Sequence, residues 1–538
     1  MQTRRTFVRT AGSTALAVVL APQSAALGLT SATRAPLARR GRFAEGVISG
    51  DPGTNGITLW TRLDQVAGSL AVDLEVATDK GFRKVVASQR IATSDAVGHA
   101  IKARVNGLKT RQQYFYRFAT KTTDSPIGTF RTAPPAGSTE PVTFAYWSCQ
   151  EFAHGFYNAH ELMAKDDLDF VICLGDYIYA ETYSAKSNGR SVREDPIGKS
   201  GPNPDIVREA LTLKDYRDKY KLYRSDASLQ KMHQKFPMLT LWDDHEVQDN
   251  YAGKPADGGL PPEKRYSRAR RKAAYQAFFE SQPFYKPRSN RVYRTVPYGK
   301  NVEVFVMDQR QYRDNQPCDD KVVPACTGWD APRDFLGAAQ MSWVKSALSK
   351  SKANWKIMAN ELTIMPTKVL GDSFFTFDGW QGYPREREEL LAHIDTKGIK
   401  DVVFVTGDIH TFFAGDVQRG FDATGKPVAL EFVGGSVTSQ GLGETDLDAG
   451  AGNVFKGNDA KPNTPALLID GLRGINPWVD NADFDHHGYG RITARKDGMT
   501  SELVRLDTIK QKSTKVLPAK GFKYEVARGQ TSIKGAAS

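Results

Sequence analysis

Side chains that can bind metals follow the carboxyl ends of several predicted strands. The apolar run "FVICL" is typical of a buried strand, and Asp176 and Tyr179 come soon after it. The segment "DVVFVTGDIH" repeats this order with Asp408 and His410. Open α/β sheets bind ligands beyond the carboxyl ends of their strands, so we expect these side chains to lie close together.

Two further segments offer ligands of different chemistry. Cys149 ends the strand-like run "VTFAYWSC", and Asp244, His245 and Asn250 stand in "LWDDHEVQDN". A thiolate and a phenolate favour iron(III) or a soft ion, whereas carboxylate and amide oxygens favour calcium or magnesium. Close cations acidify a bound water and stabilise the charge of a phosphoryl displacement. The sequence therefore predicts a metal-dependent hydrolase in which Asp176 bridges two ions.

Each of these residues also has a simpler interpretation. Asp176 and Asp408 are each able to cap a following helix. His245, between acidic residues, is either a core histidine or a group next to a metal. Cys149 is alternatively a nucleophile or the disulfide partner of Cys173, although no base for a nucleophile is evident.

The chain divides into regions of different pattern. Residues 41–135 contain alternating runs such as "LAVDLEVATD" and "QQYFYRFAT", which predict an all-β, fibronectin-like sandwich. Leu108, Tyr114 and Tyr116 match the tyrosine corner of such sandwiches. The alternative is that these strands extend the main domain. In residues 142–515 strands alternate with helices, which predicts a layered α/β catalytic domain, and residues 516–538 are predicted to be a C-terminal tail.

The first 35 residues resemble an export signal. Arg4 and Arg5 precede the apolar segment "AGSTALAVVLAPQSAALG", which favours the twin-arginine export machinery over an ordinary secretory route. We therefore expect a secreted, periplasmic or cell-envelope protein. No later segment has the roughly 20 apolar residues of a membrane span. In an exported protein Cys318 and Cys326 are expected to form a disulfide, although their spacing also allows a reduced pair.

The formal net charge is +12, which attracts phosphates, teichoic-type polymers, nucleic acid or an anionic membrane. A basic surface without any partner fits equally well. No specific nucleic-acid partner is evident. The charge and the sandwich also allow a hypothesis of another class, a non-catalytic protein that binds anionic polymers of the cell envelope.

Nine segments together resemble the alkaline phosphatase D (PhoD) family of calcineurin-like metallophosphatases. They run in the family's order and include "FAEGVISGDP", "WSCQEF", "DFVICLGDYIYAE", "LWDDHEVQDNY", "FVMDQRQYR", "VTGDIHT", "FVGGSVTS" and "DHHGYG". The resemblance implies a four-layer α/β sandwich of two mixed sheets flanked by helices, after a fibronectin-like domain. It also implies a secreted enzyme that hydrolyses phosphate monoesters or phosphodiesters with a metal-activated hydroxide. Some relatives act on phospholipids like phospholipase D, which gives a second enzymatic hypothesis.

The resemblance also implies metals and their ligands. Iron(III) would be held by Cys149, Asp176, Tyr179 and His410. Calcium would be held by Asp176 and Asp408, with Asp244 or Asn250 from the "DDHEVQDN" loop. Here "DDHE" replaces the superfamily's usual "GNHE", so that Asp244 stands where an amide is usual.

The resemblance finally implies how substrate is handled. With Asp176 at the metals, His245 would bind the phosphate and protonate the leaving oxygen. Arg217 or Arg224 would neutralise the substrate phosphate, and each is equally readable as a charge on a helix surface.

Overall fold

The structure is a computed structural model. It describes residues 35–183, 192–193, 195, 206–253, 267–285, 287, 289–318, 326–370, 373–422, 424–444 and 466–535. The predicted export signal, apart from its last residue, lies outside these residues. No helix of the described part is long and apolar enough to cross a membrane.

The N-terminal region is built from strands alone, apart from one short 3-10 turn. They are β1 Val47–Gly50, β2 Gly56–Arg62, β3 Leu70–Ala77, β4 Val85–Thr93, β5 Ala100–Asn106, β6 Gln113–Ala119 and β7 Gly128–Arg131. Strands β4, β3, β6 and β7 form an antiparallel sheet in that order. Its apolar face packs on β1, β2 and β5, where Ile57 and Ile101 meet Val72 and Tyr116. The backbone N–H of Lys109 donates to the Tyr114 hydroxyl, as in a tyrosine corner.

The rest of the chain alternates strands with helices. In its first half these elements are β8 Val142–Trp147, α1 Asn158–Met163, β9 Phe170–Cys173, β10 Glu181–Tyr183, β11 Ile206–Glu209, α2 Leu213–Tyr223, α3 Ala227–Lys235, β12 Pro237–Thr240 and α4 Arg268–Ser281. In its second half they are β13 Arg294–Tyr298, β14 Val302–Val306, α5 Gly337–Lys350, β15 Trp355–Asn360, β16 Lys368–Leu370, β17 Ser373–Phe374, α6 Pro384–Thr396, β18 Val402–Thr406, β19 Phe412–Gln418, β20 Pro427–Gly434, α7 Ala466–Ile475, β21 Val479–Asp483, β22 Gly488–Ala494, β23 Gly498–Arg505 and β24 Lys523–Ala527.

Two mixed sheets carry the fold. A nine-stranded sheet has the order β24-β23-β22-β8-β9-β12-β1-β2-β5, and a seven-stranded sheet has the order β13-β14-β15-β18-β20-β19-β21. Strands β8, β9, β12 and β1 run parallel to one another in the first sheet. Strands β14, β15, β18 and β20 are parallel in the second. Each sheet therefore has one edge where the carboxyl ends of several strands meet.

The two sheets pack face to face and are covered by helices on their outer sides. Between them, Tyr146 and Ile172 of the nine-stranded sheet share one core with Ile357 of the seven-stranded sheet. The next residue along β8, Trp147, points the other way and packs with α1 to α4, as the strand period of two requires. Helices α5 and α6 cover the far side of the second sheet, where Phe404 is buried. The predicted four-layer α/β sandwich with a preceding all-β region is confirmed.

The regions join more closely than the sequence pattern indicates. Strand β1 pairs in parallel with β12, so β1, β2 and β5 belong both to the N-terminal sandwich and to the nine-stranded sheet. The predicted tail, residues 516–538, contributes β24 to the edge of that sheet. Ile533 beyond it is buried, and its backbone N–H donates to Asp416. Strand β24 has only five residues, too short a pattern to recognise. The boundaries at 41–135 and 142–515 stay predictions.

Candidate metal centre

The predicted ligands come together where the parallel strands of both sheets end. Cys149 follows β8, Asp176 follows β9, and Asp243 and Asp244 follow β12. Asp408 follows β18 of the seven-stranded sheet. All five are buried or half-buried. The edge-of-sheet rule therefore places ligands from both sheets in one cluster.

Several of these residues adopt a backbone conformation that non-glycine residues rarely take. The φ angles are 59° at Cys149, 52° at Asp176, 64° at Asp408 and 56° at His410. Such left-handed residues cost about 1–3 kcal/mol each and concentrate at functional sites. Gly175 has a φ of 104°, and a Cβ there would lie 2.4 Å from the Cβ of Asp243. Only glycine allows the ends of β9 and β12 to approach this closely.

One half of the cluster, here called the mixed group, consists of Cys149, Asp176, Tyr179 and His410. Ligand atoms of Cys149, Asp176 and His410 all lie within 4.8 Å of one another. The Tyr179 hydroxyl lies 2.9 Å from Asp176 Oδ2 and 3.1 Å from His410 Nε2. A thiol, a carboxyl, a phenol and an imidazole thus surround one point, which is a donor set for a Lewis-acidic transition metal.

The other half, here called the acid group, consists of Asp243, Asp244 and Asp408. One oxygen of each lies within 4.8 Å of the others. Asp176, Asp244 and His245 form a third set with the same spacing, so Asp176 lies between the two halves. The backbone N–H of Asn250 donates to Asp244 Oδ2 at 2.6 Å, which puts this residue beside the acid group. Oxygen donors of this kind suit a hard divalent cation.

Arg310, which the sequence analysis did not select, balances the charge of the acid group. Its guanidinium is fully buried and is bonded to Asp243. It also lies 3.3 Å from Asp244 Oδ1, 3.1 Å from Asp408 Oδ1 and 2.7 Å from Asp378 Oδ2. Arg310 lies just beyond the carboxyl end of β14. The acids were predicted because they follow the ends of strands. The same criterion, applied to basic side chains, would have identified Arg310.

The structure does not bring Arg217 or Arg224 into this cluster. Arg217 lies on α2 and binds both carboxylate oxygens of Glu280. Arg224 is fully buried, donates to Tyr177 and Ser281, and pairs with Glu45. Their guanidinium groups therefore neutralise other carboxylates, and the prediction that one of them faces the substrate is not supported. An arginine in a helical segment cannot be oriented from sequence alone.

The pKa values of the mixed group are typical of side chains that bind a cation. Burial raises the pKa of the Asp176 carboxyl well above its ordinary value, and Asp244 raises it further against the opposing effect of His245. Burial also raises the pKa of the Cys149 thiol and the Tyr179 phenol, and Asp176 adds to both shifts. Burial lowers the pKa of His410 to about 4, which keeps the imidazole neutral as a metal ligand must be.

In the acid group the pKa values of Asp243 and Asp244 move in opposite directions. Burial raises the pKa of Asp243 to about 7, although Arg310 opposes it. Burial also acts on Asp244, but His245 and Arg310 outweigh it and lower its pKa to about 2. Asp244 is therefore the member of the acid group whose ionised form is most favoured, and its negative charge would attract a cation.

The carboxylate of Glu181 holds the ring of His245 in place. Its Nδ1 lies 2.7 Å from Glu181 Oε2, and its Nε2 lies 3.8 Å from Asp244 Oδ2. Its ring stacks on Tyr179 with centroids 4.1 Å apart. Burial lowers the pKa of His245, but Asp244, Asp176 and Glu181 together raise it well above its ordinary value. These carboxylates therefore favour the protonated form of the ring, and its Nε2 lies on the side of Asp244.

Comparisons with known proteins agree with this geometry. The family model for a PhoD-like phosphatase matches residues 144–503, and the model for the N-terminal domain of PhoD-like phosphatases matches residues 29–134. The chain belongs to the PhoD-like phosphatase family. It is 32% identical to alkaline phosphatase D of Bacillus subtilis (strain 168) over 557 residues, which cover 99% of this chain and 89% of that protein.

Solved structures extend the likeness to the fold. A structure of PhoD matches with a TM-score of 0.79 and 31% identity over 93% of this chain and 92% of that one. Purple acid phosphatase PPD1 from yellow lupin (Lupinus luteus) shares the fold, with a TM-score of 0.55 and 12% identity over 90% and 73% of the two chains. The protein is thus a phosphoesterase, and its family implies metal ions.

The cluster fits the metals that a PhoD-like phosphatase needs. Asp176 Oδ1 and Asp243 Oδ2 are buried and have no hydrogen-bond partner among the described residues. An unpartnered buried carboxylate oxygen costs about 1–3 kcal/mol or more, and a bound cation removes that cost. Both atoms belong to residues in the sets of side chains whose spacing suits a metal.

Residues around this PhoD-like site hold its candidate ligands in place. Glu246 is fully buried and accepts hydrogen bonds from the backbone N–H groups of Asp176, Tyr177 and Asp243, so it ties the ends of β9 and β12 together. His410 Nδ1 bonds to the carbonyl of Gln440 at 2.8 Å, which leaves Nε2 for a metal. Sequence reasoning missed these contacts because partners distant in sequence make them.

Two cysteine assignments have a structural outcome. Cys318 and Cys326 are joined in a disulfide with a Cα–Cα distance of 5.5 Å. Cys149 and Cys173 are both buried and are not bonded to each other. Burial raises the pKa of each thiol well above its ordinary value, so neither is a reactive thiolate without a metal.

Proposed function

We propose that the protein is an exported phosphoesterase that hydrolyses phosphate monoesters, phosphodiesters or both with iron(III) and calcium. The observation that supports this most is the meeting of the mixed group and the acid group at Asp176. The two groups offer different donors a few ångströms apart, and their shared carboxylate has a free oxygen. This is the arrangement that a pair of unlike ions requires.

The assignment of ligands follows the donor types. Cys149, Asp176, Tyr179 and His410 would hold iron(III), because thiolate, phenolate and imidazole suit a Lewis-acidic transition metal. Asp176, Asp244, Asn250 and Asp408 would hold calcium through oxygen. When bound, these ions supply Lewis acidity and lower the pKa of a coordinated water.

The protein's own residues would then act on the phosphate ester. The Nδ1–H of His245 donates to the Glu181 carboxylate, so the second proton of the imidazolium is at Nε2, facing the acid group. In this position the imidazolium would bind a phosphate oxygen and donate the proton to the leaving oxygen. Arg310 is fully buried and occupied by four carboxylates, so it would act as their counter-ion and not as a substrate ligand.

Export through the twin-arginine machinery is the remaining part of the proposal. The paired Arg4 and Arg5 with the following apolar segment support this route, and the disulfide between Cys318 and Cys326 supports export in general, since such bonds persist in oxidising compartments. Replacing Arg4 and Arg5 by lysine should keep the protein inside the cell. Export of that variant at the wild-type rate would contradict the route.

The phospholipid alternative receives no specific support from the aromatic stretch "DSFFTFDGWQGYP". Phe374, Phe377 and Trp380 in it are buried, and Phe374 and Phe377 pack with Trp329. These side chains stabilise the protein interior and do not form a lipid-facing surface. A non-catalytic polymer-binding role would leave the unpartnered carboxylate oxygens of the cluster unexplained.

A metal assay paired with three substrates tests the proposal. Purified protein should contain iron and calcium, and it should hydrolyse p-nitrophenyl phosphate, bis(p-nitrophenyl) phosphate or both. A calcium chelator should abolish this activity, and added calcium should restore it. Choline release from phosphatidylcholine vesicles without hydrolysis of the two simple esters would favour the phospholipase alternative. Absence of metals and of all three activities would contradict the proposed function.

A further inference from the structure

A serine outside the predicted ligand set makes a short contact with the phenol of the mixed group. Ser439 Oγ lies 2.6 Å from Tyr179 Oη, and the serine is only 1% exposed. The backbone N–H of Glu151 donates to the same Ser439 Oγ at 3.2 Å. Because that N–H is a fixed donor, the serine oxygen acts as its acceptor, and the single hydroxyl proton is directed at Tyr179.

The direction of this hydrogen bond is compatible with a charged acceptor, because the serine hydroxyl is the donor and a phenolate oxygen only accepts. The phenol of Tyr179 also lies against Asp176 Oδ2 and His410 Nε2. As a metal ligand the phenol has no proton of its own, and Ser439 then supplies a hydrogen bond to its oxygen.

The segment that carries Ser439 contacts three of the four members of the mixed group. The backbone N–H groups of Thr438 and Ser439 both donate to the carbonyl of Cys149, at 3.2 and 3.1 Å. The carbonyl of the next residue, Gln440, bonds to His410 Nδ1. The backbone that carries Ser439 is therefore fixed relative to the ligands on both sides, which keeps its side chain beside Tyr179.

We infer that Ser439 is a positioning residue that orients Tyr179 as a ligand and limits how much electron density the phenolate gives to iron. This inference rests on the proposed iron site. A hydrogen bond to a phenolate oxygen stabilises its lone pairs, so phenolate-to-iron charge transfer needs more energy and iron(III) is more easily reduced. Outer residues of this kind tune metal sites through the ligands that they contact.

The test compares the wild-type protein with Ser439→Ala in the iron-loaded, full-length form. The variant should absorb at longer wavelength in its visible charge-transfer band and should have a lower iron reduction potential. Because Tyr179 also loses its orientation as a ligand, the affinity for iron, measured by competition with a chelator, should fall about 10- to 100-fold despite the stronger donor. Thr438→Val is the matched control, because Thr438 donates its hydroxyl to the carbonyl of Glu151 and does not touch Tyr179. It should keep the wild-type band.

Ser439→Thr separates a role of the hydroxyl from a role in packing. The threonine side chain would keep the donor, so the band and the affinity should return towards the wild-type values even if Ser439→Ala loses its iron. Loss of iron in both variants would make the serine a packing residue and overturn the inference. An unchanged band and potential in iron-loaded Ser439→Ala would overturn it while leaving the iron site intact. Absence of a charge-transfer band in the wild-type protein would overturn the iron–phenolate assignment and this inference together.

Discussion

The two halves of the metal centre balance their charge in different ways. In the acid group Arg310 is bonded to or lies within 3.3 Å of Asp243, Asp244 and Asp408, so a guanidinium is built into the fold among these carboxylates. In the mixed group the hydroxyl of Ser439 and the carbonyl of Gln440 are neutral hydrogen-bonding supports, and the imidazole of His245 stacks on Tyr179. The acid group therefore has a guanidinium bonded directly to its carboxylates, whereas the hydrogen bonds that support the mixed group come from neutral groups.

Under the proposed assignment, this difference between the two halves keeps two unlike ions apart. A cluster of buried carboxylates that already includes an arginine carries less excess negative charge. Its free ligand atoms are all oxygens, which suit a hard cation. A thiol and a phenol whose pKa values are raised by burial are deprotonated only when a strongly acidic metal binds. Asp176 belongs to both environments, so its removal should affect both.

The largest effect is expected for Asp176→Asn, which breaks the link between the halves. An amide cannot bridge two cations as a carboxylate does, so both iron and calcium content should fall. Activity should drop about a thousandfold or more, the scale of removing a group on which the whole mechanism depends. Elemental analysis and ester hydrolysis measure the two effects. Full activity in this variant would refute the model of the site.

The next largest effect is expected for Arg310→Gln, which removes the resident cation. The variant leaves buried carboxylates unpaired and should lose about 3–5 kcal/mol of unfolding free energy in calcium-free buffer. Calcium should restore more stability to the variant than to the wild type, as urea denaturation at several calcium concentrations would reveal. Arg217→Gln is the control, because its partner Glu280 is outside the cluster, so the stability that this variant loses should not depend on calcium. An equal response to calcium in both variants would contradict the role of Arg310.

Cys149→Ser should disturb the mixed group alone. Serine is a poor ligand for a transition metal where thiolate is a strong one, so iron affinity should fall at least about 100-fold. Calcium content should stay near the wild-type value, because Cys149 is not a member of the acid group. Iron and calcium are measured in the same sample. A parallel loss of both would show that the two halves are not separable.

The smallest effect is expected for Glu181→Gln, which acts through His245. Glu181 is one of the charges that raise the pKa of His245, so its removal lowers that pKa. The imidazolium is the acid form, and activity that requires it is lost as the pH rises through its pKa. The alkaline limb of the kcat profile should therefore move to lower pH, with about a tenfold loss at alkaline pH. A substrate with a good leaving group should be affected least. An unmoved alkaline limb would exclude His245 as the acid.

The sequence alone was enough to predict the layered fold and the strand ends where ligands gather. Apolar runs such as "FVICL" mark buried strands, and polar residues directly after them must lie at one edge of the sheet. The sequence was not enough to assign roles to Arg217, Arg224 or Arg310, because the direction of a long side chain depends on which carboxylates lie near it.

Only the tertiary structure decided which groups meet across the two sheets. Arg310 and Asp243 lie 67 positions apart in the chain, and Ser439 and Tyr179 lie 260 apart. The pattern of residues in a short segment does not predict such pairs, since they form when two sheets pack face to face. For the same reason the sequence predicted the kinds of side chain in the candidate site, and the packing of the two sheets decided their partners and how their charge is balanced.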